Sequence, residues 1–145
     1  MKRIILGMSQ KDSFIRDKLI ADSEPMIEHL IKLMLYPNTE WCRGWRTEVR
    51  KFIPKVDKLK RTNKFPPEEF IMKAFSTHFD VLDTYAKVIV DDMEFDGCQV
   101  VPENVSNAEM LEKVTAYCRW LSIKLSTEGF VSNKEVHEVL ESIGL

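Results

Sequence analysis

From residue 10 onward, apolar side chains return every three or four positions with little interruption. That period gathers them on one side of an α-helix, and no stretch shows the strict alternation of a half-buried strand. The pattern predicts an all-α fold: a single-domain helical bundle of about five to six helices spanning residues 1–145. At 145 residues and 44% hydrophobic, the chain is long enough to bury a core without disulfide staples.

The punctuation divides the pattern. Phe14, Ile15, Leu19 and Ile20 give a short helix over 10–22. Glu24 and Pro25 read as the first turn of a second helix, 24–36. Its wide apolar face, from Met26 to Leu35, suits the bundle centre. Pro37 and Asn38 end it, and Thr39 is positioned to cap the next. Trp41, Trp45, Val49, Phe52, Ile53, Val56 and Leu59 then form a stripe, with a kink expected near Pro54. Pro67, Glu68 and Glu69 open a long central helix, about 67–92. Residues 93–105 lose the period and read as a surface loop. Ser106 or Asn107 starts another helix, which Gly129 stops. Ser132 and Glu135 have capping-box spacing for a terminal helix that ends at Gly144. Residues 1–9 read as a loose arm, and Met8 competes with Met1 as the start.

Several function classes are excluded early. The three cysteines, Cys42, Cys98 and Cys118, are odd in number and lack the C-x-x-C spacing. That argues against a disulfide framework and a structural zinc site, and it suits a cytoplasmic compartment. The apolar run Ile4-Ile5-Leu6 is too short for a signal peptide, and no segment approaches the roughly 18 apolar residues of a membrane span. No membrane association is expected. The glycines are scattered, so no phosphate-cradling loop is present.

Net charge is −2, yet its distribution is uneven. Residues 43–64 carry nine basic side chains against Glu48 and Asp57, a net +7. Residues 65–112 carry eleven acids against Lys73 and Lys87, a net −9. The basic stretch is the strongest local signal. Arg43, Arg46, Arg50, Lys51, Lys55 and Lys58 could meet phosphates, with Trp41 and Trp45 nearby for stacking. The competing expectations are that both tryptophans belong to the core stripe and that the acidic block neutralises the basic one within the bundle.

Other chemistry is sparser. His29, His78 and His137 show no two-ligand helix spacing, and no cofactor is implied. Asp80 with Asp83, and Glu109 with Glu112, have i, i+3 spacing. Facing one another across helices, they would hold Mg2+ for nucleotide hydrolysis. The denser E-E-x-x-E run of all-helical nucleotide pyrophosphatases is absent.

The segments His29-Leu30-Ile31-Lys32, Pro37, and Trp45-Arg46-Thr47-Glu48-Val49-Arg50, followed more loosely by Tyr85-Ala86, resemble the bacterial domain of unknown function family twenty-nine. The resemblance covers about residues 15–92. The aromatic N-terminal motif of that family is missing, Phe65-Pro66-Pro67 replaces its Pro-Ser-Leu segment, and residues 100–145 lie outside. The resemblance implies an all-helical fold and no particular activity. An antiparallel turn at Pro37 would bring His29 and Lys32 toward Trp45, with Arg46 and Arg50 able to grip one anion together.

The leading expectation is a binding protein with a charge-polarised surface. Its partner is another protein or a second copy of itself, joined through opposite charged faces. The alternatives are nucleic-acid binding through 43–64 and Mg-dependent nucleotide hydrolysis.

Overall fold

A single helix of 26 residues, α1 (Gln10–Leu35), runs through the middle of the molecule in the computed structural model, which describes residues 9–127 and 130–145. After it come α2 (Cys42–Arg50), α3 (Phe52–Thr62), α4 (Glu68–Ser76), a 3-10 turn (Phe79–Val81), α5 (Leu82–Phe95), α6 (Asn107–Ser126) and α7 (Asn133–Ser142). The described residues form an all-α fold without strands. The expected arm over 1–8 and the expected stop at Gly129 lie outside the described residues.

The two helices expected over 10–22 and 24–36 are one. Ile15, Leu19, Ser23, Met26, Leu30 and Leu33 are buried at three- and four-residue steps, so one face continues across Pro25. An interior proline costs about 3 kcal/mol. Each of the fully buried residues beyond it returns about 1.5–3 kcal/mol. Burial therefore wins, and Ala21 and Pro25 lie on the exposed side where water can satisfy the freed backbone.

The expected kink near Pro54 is a break at Lys51. Proline removes the bond to the carbonyl four residues earlier, that of Arg50, which is the last residue of α2. Pro54 then sits in the first turn of α3, where no N–H is needed. Thr39 does not cap α2: its hydroxyl donates to the Tyr36 carbonyl instead.

The long helix expected over about 67–92 is corrected to α4, a 3-10 turn and α5. The Ser76 and Thr77 hydroxyls donate back to the Lys73 and Ala74 carbonyls, which competes with helix propagation. His78 then turns into the core. Its Nε2 lies 3.0 Å from the Ile20 carbonyl and 3.1 Å from Ser23 Oγ, and its Nδ1 lies 2.9 Å from the Tyr85 hydroxyl. A carbonyl only accepts, so Nε2 carries the proton and Nδ1 accepts from Tyr85. This network fastens the α4–α5 corner to α1.

The surface loop begins later than expected, because Met93, Glu94 and Phe95 belong to α5. Its Glu103 N–H donates to the Leu35 carbonyl at 2.7 Å, tying the loop to the end of α1. Ser106 caps α6 through the Glu109 N–H, and the Ser132–Glu135 capping box forms. The Lys124 ammonium and the Ser132 bonds hold the Glu135 carboxyl down at about 2. At the other end of α7, Gly144 adopts φ 82°. There the Gly144 N–H donates to Glu141 and the Leu145 N–H to Leu140. That Schellman closure needs glycine at the left-handed position.

Two tyrosines test the polar core. Tyr117 is fully buried, and among the described residues its hydroxyl has no hydrogen-bond partner. Tyr117→Phe should raise stability by about 1 kcal/mol, because it removes an unsatisfied group. Tyr85→Phe should lower it by about 1 kcal/mol, because it orphans His78 Nδ1. Urea denaturation of both variants checks the opposite signs.

Candidate functional site

The basic stretch occupies α2 and α3. Cys42, Val49, Phe52, Ile53 and Val56 point into the core, which turns the intervening cations outward. Arg43, Lys51, Lys55 and Lys58 are exposed. Lys55 and Lys58 lie three residues apart on one side of α3, and Lys51 stands at the break before it. Lys51 shares its charge with Glu48 at 2.7 Å. That contact holds the Glu48 carboxyl below its usual range.

Three other cations of the stretch have structural partners, while Arg61 and Lys64 are exposed. Arg46 Nε donates to the Leu145 backbone oxygen at 2.9 Å, bracing the Schellman closure of α7. Arg50 donates to the Thr47 hydroxyl at 3.1 Å. The two guanidinium groups serve different neighbours. Lys60 donates to the Thr127 carbonyl and lies over the Phe65 ring.

The antiparallel pairing of α1 and α2 does bring the expected residues together. Lys32 Nζ sits 5.9 Å from the centre of the Trp45 ring. His29 faces a small hollow of about 150 Å3 between α1 and the α2–α3 corner, beside Asp22, Glu48, Lys51, Phe52 and Lys55. Its Nδ1 donates to the Pro25 carbonyl at 2.7 Å, which leaves Nε2 as the free nitrogen of the neutral ring. Burial lowers the His29 pKa, and Lys32 and Lys51 push the same way against the Pro25 bond and Glu48.

Trp41 and Trp45 are only partly open for stacking. Both are half-buried, 5.9 Å apart and packed on Tyr36. Met93 and Cys98 border them from the α5 end.

The expected neutralisation within the bundle does not occur through ion pairs. Among the described residues, none joins 43–64 to 65–112. The four acids of the hydrolase expectation do not converge either. Asp80 is exposed in the 3-10 turn and Asp83 in the first turn of α5, where it accepts from the Thr84 N–H. Glu109 lies 4.0 Å from Lys113, and Glu112 is exposed on α6. Among the described residues, no group of three or more histidine, cysteine, aspartate or glutamate side chains is arranged to hold a metal ion. No helix among them is long and apolar enough to cross a membrane.

The sequence places His78 and Tyr85 on one apolar face, but not the Ser23 and Ile20 partners that His78 meets on α1. Ser23 and His78 are buried and Tyr85 half-buried, and the network fastens helices.

No family model, curated protein or solved structure matches the chain. The resemblance across residues 15–92 rests on its motif residues alone.

His29 gives a pH prediction. A lowered folded pKa means that the unfolded chain binds the proton more readily. The stability from His29 is complete above the ordinary 6.5 and is lost as pH falls from there through the lowered value. His29→Asn keeps a donor for the Pro25 carbonyl and removes the titration. Denaturation midpoints at a series of pH values should fall less steeply with acid in this variant than in the parent.

Proposed function

We propose that this protein acts by binding rather than by catalysis, and that the basic face of α2 and α3 docks an acidic protein partner. The observation that carries the reading is the open charge. Among the described residues, Arg43, Lys55 and Lys58 are exposed and have no ion-pair partner. Such a face speeds encounter with a complementary acidic surface and selects against basic ones. Packing of Trp41 and Trp45 on Tyr36 leaves only part of each ring open for stacking by a single-stranded nucleic acid. The three free thiols, two of them buried, suit a reducing compartment, and we place the protein in the cytoplasm.

A second reading is a nucleic-acid backbone on the same face. The exposed Lys55 and Lys58 on α3, with Lys51 at the break before it, favour it, since phosphate contact needs charge and no stacking.

Both readings predict salt-sensitive capture of a partner from lysate. Replacing Lys51, Lys55 and Lys58 together by Glu should weaken it about tenfold or more. Capture that survives nuclease treatment supports the protein partner, and capture that nuclease abolishes supports the second reading. Capture indifferent to both salt and the triple variant would overturn the role of this face.

A further inference from the structure

The outer face of α6 is apolar and uncovered among the described residues. Met110, Val114, Tyr117, Cys118, Leu121 and Leu125 point inward. On the opposite side, Leu111 is 42% and Ile123 45% exposed, and Ala108 and Ala116 are also exposed. Thr115 and Trp120 are half-exposed between them. These side chains line one open, shallow hollow with Glu112 and Arg119.

Glu112 and Arg119 are the two charges lining this hollow, and Arg119 also borders Glu68, Glu69 and Lys73 of α4. Neither has an ion-pair partner among the described residues. Seven residues apart, they lie about 10 Å from each other along the axis and within about 20° of the same direction around it. They are too far apart to pair within one helix. The point midway between them falls between Thr115 and Ala116, the small residues at the middle of the face.

We propose that two copies of this chain associate through α6, with the two helices antiparallel about a two-fold axis at that midpoint. Glu112 of each copy then faces Arg119 of the other, which forms two equivalent ion pairs. Thr115 and Ala116 meet their own copies at the axis, where small side chains let the helices approach. Ile123 lies over the small Ala108 of the second copy, and Leu111 and Trp120 close the edges. A parallel arrangement would set Glu112 against Glu112 and Arg119 against Arg119, so the charges select the antiparallel one. The surface is separate from the basic face of α2 and α3, and a dimer carries two such faces. A single helix pair is at the small end of specific interfaces, so the dimer forms as concentration rises.

Sedimentation of the full chain over a concentration series at low salt tests this. The mass should rise from one chain toward two. Glu112→Arg or Arg119→Glu alone should hold it at one chain, because like charges then face each other. The two exchanges combined should restore the dimer. A parent that stays at one chain throughout would overturn the proposal. So would a dimer indifferent to the single exchanges, or one that the combined exchange fails to restore.

Discussion

Burial of α1 on several sides is the interaction on which the rest of the structure depends. Helices α2, α3, α4, α5 and α6 all pack against it. From Met26 to Tyr36, most of its residues are buried. A helix apolar around most of its circumference cannot lie at a surface, so the other elements must surround it. The same requirement carries it through Pro25 without interruption.

That central position also sets the electrostatics. Helices α2 and α3 bring the basic block to α1, and α4 and α5 bring the acidic block to it separately. The surface strip of α1 continues the division. His29 and Lys32 meet α2 through the small hollow and the Trp45 ring. Glu28 is pushed up by burial and then by Glu24 and by Asp92 of α5. Acid gathers with acid on that side. The two blocks remain unpaired, so the near-zero net charge of the chain describes neither surface that a partner would meet.

Much of the fold was legible because local signals and burial agreed. The α6 cap at Ser106, the capping box at Ser132 and the stop at Gly144 are set by residues within a few positions of one another. The larger failures came mainly where a distant partner helped decide the outcome. Pro25 looked like a helix start because nothing local shows that Ile15 and Leu30 share one buried face. The 67–92 stretch looked like one helix because the pull of Ile20 and Ser23 on His78 spans more than 50 residues. For the candidate site, the outward cations followed from the apolar stripe. The diversion of Arg46 to Leu145 did not, because it joins residues 99 apart.

The central claim is that the basic and acidic blocks do not stabilise each other within the chain. Its most direct test is the urea midpoint of the full chain at neutral pH with increasing sodium chloride. Exposed ion pairs, whether inside a helix or, like Lys124–Glu135, between α6 and α7, contribute little. Screening should therefore leave the midpoint unchanged or raise it slightly, by relieving repulsion within each block. A midpoint that falls steadily with salt would show attraction between the blocks and contradict the account.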